Sequence, residues 1–201
     1  MLEVSDSNSS MPFPFDSTKA IQAVAFLLKT RPSQTDNYMR LLKILYIADR
    51  ESLQETGAPI TGDNFVSMEH GTMLSKLLNL VKQDKPHVLN KHDQDYENWD
   101  KCIVRHEDND IRLVNDPGVK FLCDYEVRKL NEVAKRYEAC TQWDMKKITH
   151  GLPEYDDPGK SSKTIPIKHL LQVLGLSDAA DAIIDEAIES AEITALLGKA
   201  Q

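Results

Sequence analysis

The fold of this chain is decided by residues 43–81, which read KILYIADRESLQETGAPITGDNFVSMEHGTMLSKLLNLV. The first part is apolar on almost every side of a helix, which predicts a central helix buried on several faces. Thr35–Asp36 is placed to begin that helix, Gly57 to end it, and Pro59 prevents its continuation. The stretch therefore predicts a central helix followed by a turn-rich connector.

The second part of the stretch predicts a strand and another helix. Phe65–Met68 has the apolar character of a short strand, and Gly71 supplies backbone freedom after it. Thr72 has a hydroxyl that can cap a helix, so a helix is predicted to begin there. The apolar face of that helix is formed by Leu74, Leu77, Leu78 and Val81.

On the N-terminal side, residues 1–16 predict a flexible arm that docks through Phe13 and Phe15. Asp16 or Ser17 is placed to cap the first helix. Whether the two phenylalanines meet a partner or hold the arm on its own domain is left open by the sequence.

On the C-terminal side, the polar residues 83–98 predict an exposed loop, and 102–114 predict one antiparallel hairpin with a central turn. Further helices follow, separated by the Pro/Gly/Asp/Ser loop at 151–164, and the last helix carries an acidic face. The fold class predicted is therefore mainly α (α+β): a single helical domain at 17–198 with a small antiparallel β-hairpin.

Composition limits the classes of function. The chain has 201 residues, which suits one domain, and its net charge of −8 makes nucleic acid an unlikely partner. Its three cysteines form no C-x-x-C pair, which argues against a disulfide framework and a zinc knuckle. No apolar run is long enough to cross a membrane, and the N-terminus does not read as a signal peptide. We therefore expect a cytoplasmic protein.

Familiar catalytic motifs are missing from the sequence. There is no G-x-S-x-G elbow, no phosphate-binding loop and no H-x-x-x-H pair, so we expect no catalytic residues, no metal and no cofactor. Two alternatives stay open. Asp49, Asp63, His70 and His150 could surround a divalent ion in a metal-dependent hydrolase. A phage or mobile-element regulator that binds nucleic acid locally is the other.

Asp49 is unusual because it lies near the end of a strongly apolar helix. A carboxylate there opposes the helix dipole, so we expect it to have a partner. The partner predicted is a backbone N–H group of the following loop or a nearby cation.

The same stretch resembles the SocA-like antitoxin family of Panacea domains, also known from a phage-associated protein called GepA. The matching features are the L-Y-I-A-D run at 45–49, the G-x-P-I-T-G run at 57–62, and His70–Gly71 before a helix. The C-terminal part is similar as well, so the resemblance covers roughly residues 17–195. Its matching residues there are Trp143, Thr149, His150, Pro153, Glu154 and Tyr155. One departure is Thr72, where the family typically has proline.

The resemblance implies that the protein neutralises a cognate toxin by direct binding, and one known mode presents the toxin to an AAA+ protease. Homodimer formation stays open. Three surfaces are candidates for the toxin: the arm, the acidic face of the last helix, and the 57–71 connector together with the 151–164 loop. The partner-binding residues predicted are Phe13, Phe15, Tyr46, Asp49, Arg50, Pro59, Asp63, Met68, His70 and Gly71.

Overall fold

The central element of the fold is a 19-residue helix, α2 (Tyr38–Thr56). The side chain of Asn37 caps it by accepting from the backbone N–H groups of Met39 and Arg40. Gly57 ends it in the left-handed conformation, at a φ of 77°, as the sequence predicts. Most of the helix is buried on all sides, which confirms its predicted central position.

The computed structural model describes residues 11–83 and 93–198. Within those ranges the other helices are α1 (Ser17–Lys29), α3 (Ser75–Lys82), α4 (Asp93–Cys102), α5 (Asp124–Arg136), α6 (Gln142–His150), α7 (Ile167–Val173) and α8 (Ala180–Gly198), with a 3₁₀ turn at Ser177–Ala179. The strands are β1 (Thr35–Asn37), β2 (Phe65–Met68), β3 (Gly71–Leu74), β4 (Ile103–Arg105), β5 (Asp110–Leu113) and β6 (Ser162–Thr164).

The strands of the described residues form two antiparallel sheets, in the orders β1-β5-β4 and β3-β2-β6. The mainly helical class is confirmed, and the predicted hairpin is the β4–β5 pair. The prediction of a single hairpin is nevertheless incomplete, because the described residues form two three-stranded sheets. The predicted start of α2 at Thr35–Asp36 is wrong because those residues pair with Arg112 and Ile111 as an edge strand.

The predicted helix start at Thr72 is also wrong. Thr72 lies in β3 opposite Ser67, so Glu69 and His70 form the turn of a β2–β3 hairpin. The hydrogen bonds of the strand pair outweigh the local capping preference of the threonine. The helix begins at Ser75 instead, and the side chain of Asp63 caps it.

Two predictions about flanking segments have different outcomes. The predicted loop at 83–98 is wrong from Asp93 onward because α4 begins there and buries Tyr96 and Trp99. Residues 84–92 and the first ten residues of the predicted arm lie outside the described residues. Phe13 is buried in the protein's own core, so this part of the arm is packed on its domain.

The core surrounds α2 with α1, α5, α6 and the hairpin β2–β3. Arg40 of α2 fixes α5 by donating to the backbone carbonyls of Tyr137, Glu138 and Cys140, just beyond that helix. No helix in residues 11–83 and 93–198 is long and apolar enough to cross a membrane.

Candidate functional site

One face of α2 carries polar side chains into the interior. Lys43 has no exposed surface, and its Nζ atom donates to the Thr72 carbonyl and to Thr149 Oγ1, each at 3.1 Å. Burial, together with a smaller repulsion from Lys146, lowers the pKa of Lys43 to about 7. This amine therefore joins α2 to β3 and α6, and within residues 11–83 and 93–198 no carboxylate pairs with it.

One turn further along, Tyr46 and Arg50 hold a buried carboxylate. Tyr46 donates its hydroxyl to Glu154 Oε1 at 3.1 Å, and Arg50 Nε reaches the same oxygen at 2.7 Å. The second Glu154 oxygen accepts from Arg50 Nη2 at 3.3 Å. Burial raises the pKa of Tyr46 well above its usual value, and the charge of Glu154 adds to the effect. The pair anchors the loop after α6 to α2.

Asp49 and Asp63 organise the connector after α2. Asp49 accepts from the backbone N–H of Thr61, at 3.2 Å, and from the Thr61 hydroxyl, which confirms the loop partner expected for it. Asp63 accepts from the N–H groups of Lys76 and Leu77, at 2.9 and 2.8 Å, and so caps α3. Burial raises the pKa of Asp49 to about 7 and that of Asp63 to about 6.

This geometry does not support the hydrolase alternative. Asp49 and Asp63 are buried and their oxygens accept hydrogen bonds from the connector and from α3, whereas His70 lies on the surface. The residues that the structure describes contain no group of three or more His, Cys, Asp or Glu side chains arranged for a metal ion. The two carboxylates act as structural acceptors in this arrangement.

The outer side of this network is a surface made by the β2–β3 turn and α6. Lys146 Nζ donates to His70 Nδ1 at 3.2 Å, and His150 Nε2 donates to the Glu69 carbonyl at 3.1 Å. Trp143 lies on the same side of α6, because it precedes Lys146 by three residues and His150 by seven. Its side chain is 61% exposed.

The loop after α6 completes this surface. Tyr155 packs its ring against His150, with ring centres 4.4 Å apart, and donates its hydroxyl to the Met68 carbonyl at 3.2 Å. Burial lowers the pKa of His150, and the amines of Lys146 and Lys43 lower it further. We call this surface the α6–hairpin face; its members are Met68, Glu69, His70, Trp143, Lys146, His150 and Tyr155.

A family model for "Antitoxin SocA-like, Panacea domain" matches residues 41–156, more than half of the chain. The chain belongs to this SocA-like family of Panacea domains. The matched range contains the buried network and the whole α6–hairpin face, whereas α1, α7 and α8 lie outside it. Searches of the curated proteins and of the solved structures find no match.

The residues predicted for this Panacea domain to bind a partner fall into two groups. In the interior are Phe13, Tyr46, Asp49, Pro59, Asp63 and Gly71. At or near the surface are Phe15, Arg50, Met68 and His70. The connector and the 151–164 loop do lie together, because Ser67 pairs with Lys163.

Several residues of the network and its surface were missing from the predicted partner-binding residues. They include Lys43, Glu69, Trp143, Lys146, Thr149, His150, Glu154 and Tyr155. The sequence does contain a signal for Lys43. This residue interrupts an otherwise apolar run, so it must be buried together with that run. Trp143 was noted as a residue that matches the family, but its exposure was not predictable, because a single tryptophan in a polar helix is equally compatible with the core.

Proposed function

We propose that this Panacea domain is an antitoxin that neutralises a cognate toxin by binding it through the α6–hairpin face. The observation that carries the proposal is the exposed Trp143, which stands within the family-matched residues 41–156. Tryptophan is enriched among the residues that dominate binding energy in protein interfaces. Its exposure in the isolated chain leaves apolar area that a partner can bury.

The interior network supports this surface by making it rigid. Lys43 joins the hairpin to α6, and the Arg50–Glu154 pair fixes the loop that carries Tyr155. A surface that is ordered before binding loses less conformational entropy when the partner arrives. The polar interior thus contributes to binding without contacting the toxin.

The test is co-expression with the product of the adjacent gene, scored by growth and by recovery of a complex. Wild type is expected to restore growth, and Trp143→Ser to fail and to bind at least about 30-fold more weakly, as interface hot spots do. Phe121→Ser is the matched control, because Phe121 is also exposed but lies beside α1.

Equal loss of binding in both variants would contradict the proposed surface. Failure of the wild-type chain to restore growth would contradict the antitoxin function itself. Presentation to an AAA+ protease and homodimer formation remain predictions from the family, and the same complex can be tested for both.

A further inference from the structure

The second half of α8 is an unpartnered helix that exposes large apolar side chains. Ile188, Ile193 and Leu196 are 44%, 51% and 69% exposed. The first half of the helix packs on the body, against α7 and the 3₁₀ turn, and buries Ala180 and Ala187. Apolar side chains gathered on one protruding element are characteristic of interaction sites.

The charge of α8 selects the kind of partner. Residues 169–198 contain six Asp or Glu and no Lys or Arg. Asp185, Glu186, Glu189 and Glu192 are exposed, and none forms an ion pair with any residue that the structure describes. Like charges three and four residues apart on a helix repel each other. A basic partner relieves this repulsion.

We propose that the second half of α8 binds a basic amphipathic helix of a partner protein. The apolar side of that helix covers Ile188 and Leu196, while its Lys or Arg side chains pair with Glu189 and Glu192. A second copy of this chain is the less favourable occupant, because it would bring acidic faces together. The inference rests on the proposed function only in taking a protein as the occupant.

The position of α8 gives this surface a separate role. It lies outside the family-matched residues 41–156, whereas the α6–hairpin face lies inside them. A partner that binds both surfaces contacts the α6–hairpin face, which belongs to the family-matched domain. It also contacts the α8 surface, which lies in the C-terminal segment of this chain. The second surface therefore contributes to the choice of partner.

The test uses a labelled synthetic helix of about 18 residues, with Leu on one side and Lys on the other, titrated into the purified full-length chain. A Leu/Glu peptide of the same pattern is the control ligand. We expect the Leu/Lys peptide to bind and the Leu/Glu peptide not to bind. Raising the salt concentration from about 50 to about 300 mM should weaken binding of the Leu/Lys peptide about tenfold. Backbone amide NMR shifts should map to residues 188–196.

Matched variants separate a specific site from general attraction to an acidic protein. Glu189→Lys and Leu196→Ser are expected to weaken binding about tenfold or more, since each removes one of the two recognised features. Glu107→Lys and Phe121→Ser are the controls, because both positions are exposed but distant along the chain from α8. Their binding should equal that of wild type.

The inference is overturned if the peptide does not bind, if all four variants bind equally, or if α8 variants change only the sedimentation of a dimer of this chain. Growth rescue by the wild-type protein reports on the proposed function independently. If the peptide does not bind but growth is restored, only the proposed α8 surface is contradicted. If growth is not restored but the peptide binds, only the antitoxin function is contradicted.

Discussion

Lys43 places an amine in the protein interior, where it donates hydrogen bonds to a carbonyl and a hydroxyl. Burial lowers its pKa from 10.5 to about 7 in the folded state. Between those two values the unfolded chain binds more protons than the folded protein does. The Lys43 contribution to the free energy of unfolding therefore rises with pH across this window, and its cost is largest below about pH 7.

Lys43→Met is expected to remove this dependence. The difference in unfolding free energy between wild type and variant should change by a few kcal/mol, on the order of 3, from pH 6.5 to pH 9.5. Urea unfolding at several pH values measures it. Lys147→Met, at an exposed position of α6, is the control and should leave the slope unchanged. Parallel profiles for wild type and Lys43→Met would refute the prediction.

Gly71 is a second residue whose role follows from its surroundings. Its φ is 95°, and an added Cβ would overlap Thr149 Oγ1 and lie 3.0 Å from Lys43 Nζ. Gly118 also has a positive φ, 71°, but a Cβ there meets nothing within 4 Å. The two positions separate backbone strain from steric overlap.

Gly71→Ala is therefore expected to lower the free energy of unfolding by about 3 kcal/mol or more, and Gly118→Ala by only about 1 kcal/mol. Thermal and urea unfolding of both variants provides the comparison. Similar losses would mean that the overlap with α6 is relieved at no cost, contrary to the packing described.

Among the elements, α3 depends on a residue far from it in sequence. Asp63 supplies the acceptors for its first backbone N–H groups, because Leu74 at the capping position makes no side-chain hydrogen bond. Asp63→Ala leaves those buried donors without partners and is expected to cost about 2–3 kcal/mol.

Asp63→Asn should be intermediate, since its amide retains one acceptor oxygen. Asp185→Ala, on the exposed side of α8, should have no measurable effect. Unfolding free energies at one pH give the ranking, and equal values for the Ala and Asn variants would count against the capping role.

The elements also show how far local sequence carries. The apolar period of α2 and the glycine at its end were sufficient to predict a central helix. The cap of α3 was not predictable, because Asp63 lies 13 residues before Lys76 and reaches it only through the hairpin. Thr35–Asn37 has no strand pattern of its own and becomes β1 through pairing with β5. Long-range contacts decide these cases, and a local pattern does not contain them.

The same limit applies to the candidate site. Asp49 was correctly assigned a partner in the following loop, because its conflict with the helix dipole is a local property. Its burial, and that of Tyr46 and Asp63, depends on how the connector folds back over α2. The sequence therefore located the segment that holds the buried network, but it did not show that six of the ten predicted partner-binding residues lie in the interior.

At the scale of the whole molecule, the chain consists of a body and a terminal helix that leaves it. Residues 191–196 are partly or fully exposed, whereas Ala180 and Ala187 are buried. The end of α8 therefore contributes little to the stability of the body.

A chain that ends at Ser190 should unfold within about 0.5 kcal/mol of wild type, because surface residues away from packed contacts contribute little. A chain that ends at Gly175 should lose several times more, since it also removes the buried alanines. Calorimetric or urea unfolding of both chains makes the measurement. A large loss of unfolding free energy in the chain that ends at Ser190 would show that α8 packs on the body along its full length.

Because α8 is secured at one end only, substitutions in its outer half are expected to leave the fold intact. Under the function proposed above, such substitutions change what the helix recognises. The scaffold that carries the buried lysine and its neighbours need not be rebuilt when they do. Recognition and structural integrity would then belong to different parts of one short polypeptide.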